Sequence, residues 1–228
     1  MPALRICDIT ARSMPTAREE TPDCHLCAVF TNASPAPRSP FAPGDQLFRQ
    51  GDPARLVYRV LKGAVVSYRL LSDGRRQVTA FHLPGDFVGI EAGVEHATAA
   101  EALSLVQASA IERGELAERA VTDMGLARAL WQITVRAVQR SEGHALILSR
   151  QAATERVAAF LLDFAARLGH PEVIDLPMTR QDIADHVGLT IHTVSRTLSQ
   201  LQAAGLIEAR STRQVRLLQR GRLDGICA

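Results

Sequence analysis

The segment from Pro177 to Leu201 constrains the fold of this chain more than any other, because its residues predict two short helices joined by a glycine turn. Thr179, followed three residues later by Asp182, is typical of a helix N-cap. Gly188 supplies the left-handed backbone conformation that ends the first helix, and Thr190 can cap the second. Helical spacing assigns three apolar residues to the inward side of the second helix: Val194, Leu198 and Leu201.

The outward side of the second helix then carries mostly polar residues, as a helix that enters a major groove of DNA requires. Four residues are candidates for reading bases: Ile191, His192, Ser195 and Arg196. Seven are candidates for contacts with the DNA backbone: Thr179, Arg180, Thr190, Thr193, Ser199, Arg210 and Arg213. The alternative is that the two helices belong to an ordinary core, which is a common outcome for a single match of this kind.

The residues after the second helix favour the DNA-binding interpretation. Two apolar runs, 206–209 and 214–218, flank Arg210-Ser211-Thr212-Arg213 and predict a small hairpin with arginines at its tip. From residue 179 to 222 there are seven arginines and three acids, a local surplus of +4 in a chain whose net charge is +2. A solvated arginine-rich face would carry the same charge. A basic wing beside a helix-turn-helix favours contact with phosphates.

The stretch from Phe41 to Glu112 has a different sequence pattern, in which glycines separate short apolar runs. This pattern predicts many short strands in a sandwich or barrel. The clearest hairpin joins residues 65–70 to residues 77–81 through Asp73-Gly74, a pair that supplies the positive φ angles of a tight turn.

Residues 115–149 predict one long helix with a heptad seam. The seam residues recur at intervals of 4, 3, 4, 7 and 3 positions: Leu126, Leu130, Ile133, Ala137, His144 and Ile147. Because globular helices usually show a broader apolar stripe, this narrow seam favours dimerisation over packing within the chain. Arg140 stands where the seam lacks an apolar residue, a feature that fixes register or partner choice in coiled coils. A helix packed on its own domain is the alternative.

Other features assign the chain to a broad class and divide it into domains. No apolar run approaches the roughly 20 residues that span a bilayer, and no secretory signal is evident, so we expect a cytoplasmic protein whose four cysteines are thiols. The predicted parts are a proline-containing arm, a strand-rich domain, a dimerisation helix and a DNA-binding domain, over residues 1–40, 41–114, 115–149 and 150–228. No Ser-His-Asp set, phosphate-binding loop or zinc motif appears, so we do not expect an enzyme.

Two groups of motifs resemble the Crp/Fnr transcription regulators and, within them, the FixK-like branch. The strand-rich domain has Phe41-Ala42-Pro43-Gly44-Asp45, Phe48-Arg49-Gln50-Gly51-Asp52, Leu61-Lys62-Gly63 and Leu83-Pro84-Gly85-Asp86-Phe87-Val88-Gly89, and the second helix has the motif at residues 189–198. The resemblance implies an α+β fold: an N-terminal cyclic-nucleotide-binding-type β jelly roll, a long dimerisation helix and a C-terminal winged helix-turn-helix. It also implies a homodimer that binds palindromic double-stranded DNA and acts with RNA polymerase, as an activator.

The chain departs from two cofactor-binding patterns of that family. Members that bind cyclic AMP pair its phosphate with an arginine after the Pro-Gly-Asp turn, but residues 77–112 contain no arginine. Oxygen-sensing members hold a 4Fe-4S cluster on four cysteines. Only Cys24 and Cys27 match, and the other two positions fall on Ala33 and Ser109. We therefore expect no cofactor. The cysteine pair is interpreted as a vestige, with a reversible disulfide, a metal site completed from outside, or a redox- or ligand-responsive regulator as alternatives.

The resemblance also assigns roles on the second helix. At His192 the family usually has a glutamate that accepts a hydrogen bond from cytosine, and an arginine four residues later contacts guanine. Arg196 keeps the second role, which implies a half-site of the TTGA type. The cytosine contact is open at His192, since a neutral imidazole can accept one hydrogen bond and an imidazolium cannot. A regulatory module whose helix-turn-helix binds a protein is the alternative function.

Overall fold

The computed structural model describes residues 40–227 of the chain. The predicted arm, with Cys24, Cys27 and Ala33, lies outside the described residues except for its last position, Pro40.

Two four-stranded antiparallel sheets form the first part of the described chain and confirm the predicted jelly roll. Their strands are β1 Pro40–Phe41, β2 Gln46–Phe48, β3 Leu56–Lys62, β4 Val65–Leu70, β5 Arg76–His82, β6 Phe87–Val88, β7 Ala99–Ala102 and β8 Val106–Glu112. The strand orders are β1-β8-β3-β6 and β2-β7-β4-β5, so each sheet combines strands that are distant in sequence. Alternate side chains point to opposite faces of a sheet, and apolar residues from both sheets meet in one buried cluster: Val60, Val65, Val88, Ala100 and Val106.

Strands β4 and β5 form the predicted hairpin, with pairing from Val65 and His82 to Leu70 and Arg76. Gly74 in its turn has a φ of +83°, as the Asp-Gly pair requires. Strand β5 of this hairpin contacts the C-terminal domain.

Two helices follow the jelly roll, so the prediction of a single helix over residues 115–149 is wrong. Helix α1 spans Arg113–Thr122 and α2 spans Met124–Ser149. Asp123 lies between them in an extended backbone conformation, and its carboxylate accepts a hydrogen bond from the Leu126 N–H at 3.0 Å. The aspartate therefore caps α2 and separates it from α1.

The predicted seam lies on the side of α2 that faces its own chain. Leu126 and Ile147 are buried, and Leu130 and Ile133 pack, half-buried, against the cluster that contains Leu126. A side chain buried in its own chain has no surface left for a partner. The assignment of Leu126 and Ile147 to a dimer seam is therefore wrong, and the seam belongs to intrachain packing.

His144 and Arg140 agree with this correction, whereas Ala137 does not contact the rest of the chain in the same way. His144 stacks on His186 with ring centroids 3.9 Å apart, so it too faces its own chain. Arg140 forms an ion pair at 2.6 Å with Asp86 of the jelly roll, which accounts for a charged residue at that position without a partner chain. Ala137 is exposed.

An exposed apolar stripe runs along the opposite side of α2. Its members, called the α2 stripe below, are Met124, Trp131, Val138 and Leu146. The first three are seven residues apart and therefore share one side of the helix. Trp131 is 70% exposed in the single chain.

The rest of the described chain forms the C-terminal domain. Its elements are α3 Ala153–Arg167, β9 Val173–Asp175, α4 Arg180–Val187, α5 Ile191–Ala203, β10 Ile207–Ala209, β11 Gln214–Leu217 and α6 Arg220–Ile226. The predicted wing hairpin is β10 with β11, and β9, which the sequence did not predict, pairs with the other side of β11. Among residues 40–227, no helix is both long and apolar enough to cross a membrane.

The C-terminal domain and the jelly roll share one buried apolar cluster. It contains Val78 and Phe81 from β5, Phe160 from α3, and Ile183 and Val187 from α4. The C-terminal domain is therefore docked on the β4–β5 sheet through its own core, and α4 is the helix that contacts β5.

Candidate nucleic-acid interface

Helix α4 is fixed by the caps that the sequence predicts. Thr179 and Asp182 form a capping box: the Asp182 N–H donates to Thr179 Oγ1 at 3.2 Å, and the Thr179 N–H donates to Asp182 Oδ2 at 2.8 Å. Gly188 ends the helix in the left-handed conformation, with a φ of +66°. Thr190 then caps α5 by accepting from the Thr193 N–H at 3.2 Å. These local bonds fix where α4 begins and ends and where α5 begins.

The recognition helix α5 has the two sides that its sequence predicts. The inward residues Val194, Leu198 and Leu201 are buried. The predicted base-reading residues are all exposed: Ile191, His192, Ser195 and Arg196. Ser199 is also exposed. Nothing else in the described chain covers this side of α5, so it is open to a partner.

The side chains of Arg196 and His192 have no hydrogen bond or ion pair with any residue of the described range 40–227. A guanidinium without an internal partner keeps its planar set of donors for a ligand, which is the geometry that suits a guanine edge or a phosphate. The geometry therefore supports the predicted base-reading role of Arg196.

The residues predicted to contact the DNA backbone differ in how far their side chains are already bonded or buried within the chain. The Thr190 and Thr193 hydroxyls share a 2.9 Å hydrogen bond, and the Ser199 hydroxyl donates to the Ser195 carbonyl at 3.1 Å. Arg180, the first residue of α4, is half-buried, and burial lowers the pKa of its guanidinium from the ordinary value. The three hydroxyls are thus already hydrogen-bonded within the chain, and the Arg180 guanidinium is partly shielded from solvent.

Fewer arginines of the wing are available to a partner than the arginine count of the sequence suggests. Arg213 lies exposed in the turn between β10 and β11, and Arg210 is 3.4 Å from Glu208. Arg216 binds Glu172 and lies 3.7 Å from Glu208. Two exposed arginines, Arg210 and Arg213, therefore remain at the wing tip, beside α5.

Arg220 is also used within the chain, where it donates to the carbonyls of His170 and Pro171. The +4 surplus seen in the sequence is therefore in part structural, and the charge available to a polyanion is concentrated at the wing tip and on α5.

The jelly roll does not fit a cyclic nucleotide of the family type. The nearest arginine after the Pro-Gly-Asp turn, Arg113, donates to the backbone carbonyls of Glu91 and Gly93. Its guanidinium is therefore engaged by the chain's own backbone. Glu91 itself lies 3.5 Å from the buried His96 imidazole, so its carboxylate also faces a side chain of the same chain.

The jelly-roll position of a 4Fe-4S ligand is also a poor fit. Ser109 on β8 is buried, and its hydroxyl has no hydrogen-bond partner within residues 40–227. A serine hydroxyl is not the thiolate that these clusters require. Cys227, the one cysteine in the described range, is next to Glu155 of α3, and burial raises the pKa of its thiol.

Comparisons with known proteins agree with both parts of the fold. The cyclic nucleotide-binding domain family matches residues 38–123, and the Crp-like helix-turn-helix domain family matches residues 155–226. The nitrogen fixation regulation protein FixK of Rhizobium meliloti is 42% identical over 187 residues, which cover 82% of this chain and 85% of that protein. The chain belongs to the Crp/Fnr family of transcription regulators.

Other FixK proteins place this regulator in the FixK-like branch. FixK of Azorhizobium caulinodans is 44% identical over 80% of this chain and 76% of that protein. The structure of FixK2 from Bradyrhizobium japonicum is 44% identical, superimposes with a TM-score of 0.79, and covers 83% of this chain and 96% of that one. These relatives are regulators, which confirms that the chain is not an enzyme.

The sequence missed one group of exposed residues that bears on assembly. Three members of the α2 stripe are seven residues apart, but the prediction followed the longer series of apolar residues on the buried side of the same helix. The signal was therefore present, in the spacing of Met124, Trp131 and Val138.

Proposed function

We propose that this regulator is a sequence-specific activator that binds an inverted-repeat operator as a homodimer, without a cyclic nucleotide or an iron-sulfur cluster. The observation that carries the proposal is the open side of α5, where Arg196 is exposed and without an internal partner while the opposite side of the helix is buried. A winged helix-turn-helix that presents such a side docks it in the major groove.

Each half-site is read by Arg196 at a guanine, with His192 and Ser195 at the neighbouring bases. Arg210 and Arg213 of the wing contact the adjacent phosphates, and Thr179, Arg180, Thr190, Thr193 and Ser199 line the backbone on either side of the groove. The resemblance to FixK-like regulators supports a half-site of the TTGA type. RNA polymerase is the protein partner of activation, and the cytoplasm is where both partners are found.

The α2 stripe is the dimer contact in this proposal. Four apolar side chains in a line on an exposed helix favour pairing with the same line on a second copy. Ala137, the one exposed member of the predicted seam, lies outside this line. The contact set therefore changes from the buried seam to Met124, Trp131, Val138 and Leu146.

A titration of labelled operator duplex against competitor DNA tests the proposal. We expect binding to an inverted repeat of TTGA-type half-sites to resist competitor DNA of random sequence, and to persist in protein purified without oxygen and without added nucleotide. Equal competition by random DNA would refute sequence-specific binding. Binding that appears only after addition of cyclic AMP would refute the cofactor-free form.

A further inference from the structure

The C-terminal domain is held on the jelly roll by two groups of charged contacts in addition to the shared apolar cluster. We propose that Arg76 and Asp86 are positioning residues, which set the orientation of α5 and thereby determine the operator spacing that the dimer accepts. This inference rests on the proposed DNA binding.

The first group joins β5 to the capping box of α4. Arg76 Nη1 donates to Asp182 Oδ1 at 2.6 Å and lies 3.5 Å from Asp185 Oδ2. The guanidinium also lies over the Tyr68 ring, 4.2 Å from its centroid, which holds it in place from the jelly-roll side. Since Asp182 caps α4 through Thr179, Arg76 binds the same carboxylate that starts the first helix of the helix-turn-helix.

The charge of Asp182 is maintained at this buried site. Burial by itself would raise the pKa of its carboxyl, but the hydrogen bonds from Thr179 and Arg76 outweigh burial and keep the pKa below the ordinary value. Its side chain is only 8% exposed and that of Arg76 is 25% exposed, so solvent screens the pair weakly.

Backbone contacts next to Arg76 extend the first group along α4. The Gln77 side-chain amide donates to the Asp185 carbonyl at 2.7 Å, and the His186 ring nitrogen Nδ1 lies 3.2 Å from the Val78 carbonyl. Three consecutive residues of β5 thus contact α4. A helix held at several points along its length cannot rotate on the sheet without breaking them.

The second group is centred on the Pro84-Gly85-Asp86 turn. Asp86 Oδ1 accepts from Arg140 of α2 at 2.6 Å, and Asp86 Oδ2 accepts from Arg167 at the end of α3 at 2.8 Å. Arg167 also donates to the Phe81 carbonyl of β5 at 2.7 Å. One carboxylate therefore connects the jelly roll, the helix that carries the α2 stripe and the first helix of the C-terminal domain.

These contacts matter for DNA because a dimer must place two recognition helices in successive major grooves, about 34–36 Å apart. The separation depends on how each C-terminal domain is oriented relative to α2. Neither group includes a residue of the open side of α5, so both can fix this orientation while Arg196 stays exposed. Binding of a second half-site raises the affinity of the dimer for DNA by roughly 10²–10⁴-fold, but only when the geometry allows both half-sites to be bound at once.

The test compares Arg76→Gln with Arg75→Gln. The two arginines are neighbours, but Arg75 is exposed and pairs with Asp73 inside the hairpin turn. The duplexes would carry a single half-site, two half-sites at the native spacing, or two half-sites whose spacing is one base pair longer or shorter. For Arg76→Gln we expect affinity at the native spacing to fall about tenfold as bivalent binding weakens. Preference among the spacings should shrink, while affinity for the single half-site stays within about twofold of wild type. Arg75→Gln should match wild type throughout.

Asp182→Asn is the second variant, because the amide oxygen can still cap α4 while the charge that binds Arg76 is lost. It should reproduce the loss of spacing preference. Unchanged ratios between spacings in both variants, or an equal loss on single and double half-sites, would overturn the positioning role.

A readout without DNA separates this inference from the proposed function. Amide hydrogen exchange at β5 and α4 should become faster in Arg76→Gln and in Asp86→Asn, and stay unchanged in Arg75→Gln. If wild-type protein bound no operator, the proposed function would fail while this measurement still tested the docking contacts. Unchanged exchange in both Arg76→Gln and Asp86→Asn would show that the charged contacts do not hold the domain.

Discussion

Replacing Trp131 by glutamate should convert the dimer into a folded monomer. An aromatic side chain buries about 150–250 Å² when fully covered. With 70% of Trp131 exposed in the single chain, roughly 100–170 Å² per chain is available to a partner. At about 25 cal/mol per Å², covering that area contributes roughly 3–4 kcal/mol per chain.

Both chains lose the contact in Trp131→Glu, and two carboxylates are placed where the apolar surfaces met. After the cost of ordering the interface is subtracted, a net loss of about 4 kcal/mol raises the dissociation constant about 10³-fold. Sedimentation velocity over a range of micromolar concentrations measures this change. The thermal unfolding of the monomer should be little altered, because Trp131 is exposed in the single chain.

Leu126→Ala is the matched control on the other side of the same helix. Leu126 is fully buried in its own chain, so its truncation should cost about 2–5 kcal/mol of unfolding free energy and leave the dimer contact in place. If Trp131→Glu stayed dimeric while Leu126→Ala dissociated without loss of stability, the buried seam would be the interface and the assignment to the α2 stripe would be refuted.

Three further predictions follow from the interface and the buried groups. Arg196→Ala should cost about 1–3 kcal/mol per half-site and relax the preference at one base, whereas Arg213→Ala should weaken all sequences alike and reduce the salt slope by about 1, as measured by selection from random duplexes and by salt titration. Protein purified without oxygen should contain no stoichiometric iron or sulfide, and a visible absorption that disappears in Cys24→Ala would contradict this. Burial lowers the pKa of His82 to about 4 and that of His186 to about 3. As the pH falls from about 6.5 towards 4, the unfolded chain therefore binds protons that the folded chain does not, and His82 alone should cost roughly 3 kcal/mol of unfolding free energy. Denaturant titrations at several pH values should show this slope, and His82→Phe should flatten it.

The helix-turn-helix was predictable from sequence because local contacts determine it. The capping box of Thr179 and Asp182, the left-handed Gly188 and the cap at Thr190 all join residues within three or four positions of one another. Residue type at that spacing is therefore enough to place both helices and to identify the open side of the second.

The orientation of α2 was not predictable in the same way. Apolar residues at heptad spacing occur on both of its sides, and periodicity gives the angle between residues without saying which side meets the domain. The break between α1 and α2 was missed for a different reason. The predicted helix was extended across Asp123, although aspartate is a favourable N-cap residue. The contact between Arg76 and Asp182 joins residues 106 positions apart, and no local pattern indicates it.

In the proposed function, the docking of the C-terminal domain accounts for one reading geometry without an effector. A ligand-gated regulator needs a ligand that binds one arrangement better than another by several kcal/mol. In this chain the cluster that contains Val78, Phe81 and Phe160, together with the contacts of Arg76, stabilises one arrangement from within. Undocking would expose that apolar surface at about 25 cal/mol per Å². Because Arg196 is exposed in the docked arrangement, operator occupancy should follow the amount of regulator and not the occupancy of a ligand site.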